Sequence, residues 1–172
     1  MFYALRLKPD QILQYAANYN YSKNEVDLTE FRQEILARGN LTKNDLQRVA
    51  KWKAPRSAGH VRKNSEEYVK AVTSLAFQTD DERLRIESLT LLDGVGWPSA
   101  SVILHFYHSD RYPILDFRAL WSLSLEVPHQ YSFDFWWDYT VICRSLTIEH
   151  QIDMRTLDKA LWQYSKEHQH GE

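Results

Sequence analysis

The residues best placed to do chemistry in this 172-residue chain fall in the segment Leu91-Leu92-Asp93-Gly94-Val95-Gly96-Trp97-Pro98-Ser99-Ala100-Ser101. An apolar helix ends at Leu92 and a second begins within a few residues of Gly96, so the chain must reverse in a very short span. Gly94 and Gly96 can both take positive φ without a Cβ penalty, which permits a very tight reversal. Val95 between them is predicted to plug back between the helices. The amides near Gly94 to Trp97 then stand at a helix N-terminus, where N–H groups and the dipole favour an anion such as phosphate. Gly94, Val95, Gly96, Trp97 and Ser99 form this predicted anion-binding set. A Gly-x-Gly turn between helices also occurs for purely structural reasons, and here it is the apolar flanks at helical phase that favour the hairpin.

A second chemical signal is charge. Between Lys43 and Lys70 lie eight Lys/Arg and three acids, a local net of +5 in a chain whose overall charge is −2. The overall balance argues against a protein that coats nucleic acid but permits one that grips a few phosphates. The run Lys51-Trp52-Lys53-Ala54-Pro55-Arg56 interleaves cations with a ring, as nucleic-acid surfaces do. Lys51, Lys53, Arg56 and Lys63 are the candidate contacts. The alternative is a solvated basic face with Trp52 in the core.

Other chemistry is excluded or weak. Cys143 is the single cysteine, which rules out an internal disulfide and the four thiolates of an iron–sulfur cluster, and leaves it as a small buried hydrophobe. His105 and His108 have a metal-binding spacing on one helix, but no third ligand is evident, so they read as surface or cleft-edge histidines and no catalytic metal is predicted.

The elements that must position these residues are helices. Helices are predicted over Pro9 to Tyr19; over Asp27 to Arg38, stopped by Gly39; and from Thr42, whose capping box uses Asp45, to Lys53. Ala54 to Lys63 reads as a loop. Asn64 or Ser65 caps a helix carrying Tyr68, Val69, Val72, Leu75 and Ala76. Asp80 or Asp81 caps one with Leu84, Ile86, Leu89 and Leu92 inward. Pro98 opens the second hairpin helix, with Ala100, Ile103, Leu104 and Tyr107 on one face. Asp116 sits where a cap for Phe117–Leu125 belongs. Ser132 or Asp134 caps a long helix, and a last one covers about Arg155 to Lys166. The predicted fold is all-α: an orthogonal bundle of about nine short helices in two lobes, one domain over residues 1–172, with a helix-hairpin-helix at 84–108. With no signal-peptide pattern and no long apolar run, the expected location is the cytoplasm.

Leu92-Asp93-Gly94-Val95-Gly96, followed by Ala100, resembles the L-P-G-[IV]-G-x-x-x-A hairpin of the helix-hairpin-helix DNA glycosylase superfamily. That family carries a catalytic Asp 20 residues after the second hairpin Gly, and counting from Gly96 lands on Asp116, within Tyr112-Pro113-Ile114-Leu115-Asp116-Phe117-Arg118. The resemblance covers about Leu89 to Leu125. Asp93 replaces the usual Pro, and Arg118 stands where many members have His, which alters the pocket wall. Pro98 occupies the position of the Schiff-base lysine of bifunctional members, and proline has no free amine for that adduct. The resemblance therefore implies the branch without that lysine and without an iron–sulfur cluster.

What it implies is binding of double-stranded DNA through the hairpin, flipping of a modified or damaged base, and hydrolysis of its N-glycosidic bond in base excision, with Asp116 catalytic. Trp52, Trp97, Trp136 and Trp137 are candidates to stack on the flipped base, beside Arg118. No cofactor is expected; a monovalent cation at the hairpin is the one ion considered. Neither a membrane nor an obligatory protein partner is expected. Two alternatives stay open at this point: a DNA-binding module with the fold but no chemistry, and a helical interaction protein whose turn is only structural.

Overall fold

The computed structural model describes residues 1–21, 25–56 and 58–169. The fold is all-helical: among the described residues there is no strand, and eleven α-helices follow one 3-10 turn at Pro9–Gln11. No helix is long and apolar enough to cross a membrane. The chain divides into two compact units, Lys23–Arg111 and Met1–Ser22 with Tyr112–Glu172.

The unit Lys23–Arg111 holds α2 (Val26–Thr29), α3 (Arg32–Arg38), α4 (Lys43–Lys53), α5 (Ala58–Val61), α6 (Glu66–Gln78), α7 (Glu82–Leu89) and α8 (Trp97–Tyr107). Two expectations are corrected here. The helix foreseen over Asp27 to Arg38 breaks at Glu30–Phe31 into α2 and α3, and the foreseen loop Ala54 to Lys63 winds one helical turn, α5. The predicted caps form. Thr42 and Asp45 make the reciprocal capping box, and Gly39 ends α3 at φ 73°. Ser65, rather than Asn64, caps α6, and Asp81 caps α7. Buried Asp45 also draws Arg38 to 2.6 Å and Arg48 to 3.1 Å, so the capping carboxylate knits α3 to α4. α8 is buried on nearly every side, from Ser99 to Tyr107. That near-total burial makes α8 the central rod of this unit, and an all-round apolar helix is the kind a core requires. Leu84, foreseen as inward, is 44% exposed, because Arg85, Ile86, Ser88 and Leu89 already fill the inner face of α7.

The second unit holds α1 (Ile12–Ala17), α9 (Phe117–Ser122), α10 (Phe133–Glu149) and α11 (Met154–His168). Its N-terminal segment runs along the end of α9, with the amides of Ala4 and Arg6 donating to the carbonyls of Leu123 and Ser122. α1 packs on α11 through Tyr15, which meets Tyr164 edge-on at 5.1 Å. Ser132 caps α10 and Asp153 caps α11. Cys143 lies fully buried on α10, and burial pushes its thiol pKa up, so it is an inert core residue.

Candidate functional site

The hairpin is built largely by its own backbone. After α7, the amides of Leu92 and Val95 donate to Leu89 and Leu92, and Gly94 takes φ 80°. Val95 is buried, as its plug role requires. Only one of the two glycines has positive φ. Gly96 is the N-cap of α8 at φ −94°, ψ 178°, an extended backbone that any residue adopts. The two glycines therefore serve different ends. A Cβ at Gly94 would lie 2.9 Å from the backbone nitrogen of Val61 and 3.1 Å from Cβ of His60, whereas at Gly96 the nearest atom is Cδ of Pro98 at 3.9 Å. Gly94 is needed for fit against its own protein; Gly96 leaves the helix N-terminus uncovered on an exposed surface. The α8 ladder starts with the Ala100 amide donating to the Gly96 carbonyl, and among the described residues the amides of Gly94, Gly96 and Trp97 make no hydrogen bond. Such amides are the donors that hold an oxyanion.

That a Cβ at Gly94 would strike Val61 and His60 shows that the turn rests directly on α5, so the basic stretch read from the sequence and the hairpin form one surface. Arg56, His60, Arg62 and Lys63 are all exposed there. Asn64 fastens the two together. It is buried, its Nδ2 donates to the carbonyls of Val61 (2.9 Å) and Asp93 (3.0 Å), and its Oδ1 accepts from the Asp93 amide at 2.9 Å. Sequence reasoning saw Asn64 only as a possible cap, since nothing local marks a partner 29 residues away. Lys51 is exposed and Lys53 half-buried on α4. Lys51 lines a recess of about 640 Å³ that also contains Asp27, Glu30 and Trp52, so neighbouring acids dilute its charge.

Asp116 belongs to the other unit and is positioned by side chains from far along the chain. The approach segment Tyr112–Leu115 is buried and carries no regular secondary structure. The Tyr139 hydroxyl donates to the Ile114 carbonyl at 2.9 Å, and the Ile114 amide donates to Oδ1 of Asp158 at 3.2 Å. Asp158 is itself held by Arg155 at 2.6 Å. Asp116 then caps α9, its Oδ1 accepting from the Arg118 amide at 3.0 Å, and the residue is half-buried. Two phenols feel its charge. Tyr21 and Tyr131 both have their pKa raised, first by burial and then by the negative Asp116. They remain protonated donors at neutral pH. Arg118 lays its guanidinium 5.1 Å from the Phe117 ring and 5.6 Å from that of Trp162. Tyr21, Tyr131 and Trp162 escaped sequence reasoning because they are distant in the chain and carry no local motif.

The tryptophans sort by burial. Trp136 is fully buried and stacked on Tyr112 at 5.7 Å, and Trp52 is buried edge-on against Phe106 at 5.7 Å. Both lie on the inward faces of their helices, alongside Tyr139 and Cys143 on α10 and Val49 on α4. As packed, Trp136 offers no face to a base, which corrects that expectation, while Trp52 still lines the recess beside Lys51. Trp137 and Trp97 keep partial exposure. His108 is no surface ligand either: it is buried at the end of α8, with Arg85 donating to its Nε2 at 2.6 Å.

No family model matches the chain, and no curated protein matches it in sequence. Among solved structures it is similar to the 8-oxoguanine glycosylase/lyase of Methanocaldococcus jannaschii in complex with a 15mer DNA containing 8-oxoguanine. The likeness covers 92% of this chain and 89% of that one, with a TM-score of 0.51 and 18% identity. The two share a fold. At that identity the likeness is one of all-helical backbone architecture and speaks for no single side chain.

Proposed function

We propose that this chain binds duplex DNA through the hairpin and removes a modified base by hydrolysing its N-glycosidic bond. The observation that carries the reading is Asp116: a partly exposed carboxylate at the head of α9, on a segment pinned by Tyr139 and Asp158. Its spacing of 20 residues from Gly96 and a fold shared with a DNA-bound glycosylase/lyase support it.

Base loss passes through a sugar with oxocarbenium character, and a fixed carboxylate stabilises that developing charge and orients the attacking water. The base must first leave the stack. The hairpin amides of Gly96 and Trp97 take a backbone phosphate, and Arg56, Arg62 and Lys63 add charge beside them. These contacts place the duplex without reading its sequence. The capping bond of Asp116 does not compete with this role, because it fixes the carboxylate without neutralising it. Pro98 in the first turn of α8 has no amine, so release proceeds by water rather than through a Schiff base at that position.

The test is incubation with duplexes carrying oxidised, deaminated, alkylated or hypermodified bases, followed by alkali to reveal abasic sites. Abasic sites formed by the wild type and lost in Asp116→Asn are expected. Release unaffected by that change removes the mechanism. Borohydride trapping of a covalent complex would overturn the hydrolytic route. Salt-dependent duplex binding with no release from any substrate would leave a DNA-binding module in its place.

A further inference from the structure

The hairpin carries one side chain that neither its shape nor a grip on phosphate explains. The Val95 amide donates to the Leu92 carbonyl at 3.0 Å, which closes a β-turn, and Gly94 at φ 80° stands third in it, as a type II turn requires. Asp93 stands second, where proline is common. Here the clasp excludes proline, because the Asp93 amide donates to Oδ1 of Asn64 at 2.9 Å and proline has no N–H. Any other residue would serve both clasp and turn, so the carboxylate itself needs a reason. It is exposed, and among the described residues it makes no hydrogen bond and no ion pair. Within residues 58–64 and 91–97, the stretches that meet at the turn, Asp93 is the only acid, while His60, Arg62 and Lys63 are basic.

We propose, resting on the hairpin as the contact with duplex DNA, that Asp93 is an electrostatic brake on that contact. Its charge opposes the phosphate held by the Gly96 and Trp97 amides and keeps the hold weak enough for the duplex to leave after base release. Asp93 lies three residues before Gly96, so their Cα atoms are no more than about 11 Å apart at full extension, and the turn shortens that. The separation is comparable to the Debye length of about 8 Å at physiological salt, so the repulsion is felt there and vanishes at high salt. Two like charges at that range in water oppose each other by enough to change affinity a few-fold. The N-terminus of α8 adds competition, since the dipole that draws a phosphate also favours the carboxylate already present. A grip made by backbone amides reads no sequence and holds product as firmly as substrate. A fixed negative charge loosens both, and where release limits turnover that speeds the cycle.

Affinity for unmodified duplex tests this without any need for base release. At low salt Asp93→Asn, which keeps the shape and the backbone amide, should bind roughly threefold to tenfold more tightly than the wild type. Asp93→Ser, neutral but of another shape, should do the same. The gain should fade as salt rises towards about 1 M, where the Debye length is about 3 Å. It should also shrink in a Gly96→Ala background, where the opposing phosphate is no longer held. With a substrate base, Asp93→Asn should slow multiple turnover and leave the single-turnover rate unchanged. Affinity unchanged or lowered in both neutral variants overturns the brake. So does an affinity that rises with magnesium at constant ionic strength only while Asp93 is present, which makes the carboxylate a cation ligand. Tighter binding with turnover as fast as the wild type's overturns the part played in release. Tighter binding by Asp93→Asn with no base release by the wild type keeps the brake and removes the glycosylase reading. Release that needs Asp116, with affinity indifferent to Asp93, keeps that reading and removes the brake.

Discussion

Gly94 and Asp116 mark the two working places proposed for this chain, and different forces hold them. At Gly94 the work is done by backbone: a left-handed φ, a short run of turn hydrogen bonds, and a fit against Val61 so close that an added Cβ would lie 2.9 Å from its nitrogen. At Asp116 the backbone is ordinary and extended, and position comes from side chains 25 and 44 residues beyond the segment they hold, Tyr139 and Asp158 acting on Ile114. The hairpin is therefore a local object that tolerates little variation at one atom. The catalytic segment is a tertiary object whose accuracy depends on several distant bonds. The contrast can be broken or sharpened by substitution.

The largest effect is expected at Asp116. Asp116→Asn should lower base release by at least about a hundredfold. Stability should hold to within about 0.5 kcal/mol, because asparagine caps helices as well as aspartate does. Single-turnover kinetics beside a thermal melt read both.

Next comes the glycine pair. Gly94→Ala should cost roughly 2 kcal/mol or more, from the left-handed backbone and the collision with the Val61 amide, and should weaken duplex affinity. Gly96→Ala, in extended backbone with room for the methyl, should change stability by less than about 1 kcal/mol while still weakening affinity by covering the amides. Denaturant melts and binding titrations on the two variants decide whether the glycines divide their roles in this way.

A middle tier compares the two clasps. Asn64→Ala breaks three hydrogen bonds of a buried side chain and should cost roughly 1–3 kcal/mol, with duplex affinity falling too. Tyr139→Phe leaves the buried Ile114 carbonyl without its donor, for about 1–2 kcal/mol, and should slow base release with duplex affinity unchanged. Equal effects of the two changes on affinity would erase the distinction between the regions.

The smallest effect is a pH dependence. Burial, and then the neighbouring Arg85 guanidinium, hold the pKa of His108 below its ordinary value. The unfolded chain takes up that proton at about pH 6.5. Below that pH the unfolded state binds more protons than the folded one, so stability falls as pH drops from about 6.5 towards the folded pKa and is flat above it. Melts from pH 8 to pH 5 should show the loss, and His108→Gln should flatten it.

How much was legible follows the same divide. The helices announced themselves through caps and periodicity: Thr42 with Asp45, Gly39, Pro98 and Ser132 all act where their residue types place them. The hairpin was legible because its signal, two glycines around an apolar plug, is contained in a few consecutive residues. Trp136 misled because ring content does not reveal helix phase, and it falls on an inward face. The break between α2 and α3 and the single turn of α5 carried no cap or stop signal to read.

By itself the sequence determined the all-helical class, the tight turn at Gly94 and the head of α9 at Asp116, because local backbone preferences and capping act over a few residues. Only the tertiary structure decided that Asn64 clasps the turn to the basic stretch, that Tyr139 and Asp158 aim the Asp116 segment, and that Tyr21 and Tyr131 come within reach of its charge. Those bonds join residues tens of positions apart, and whether such groups meet depends on how the helices pack.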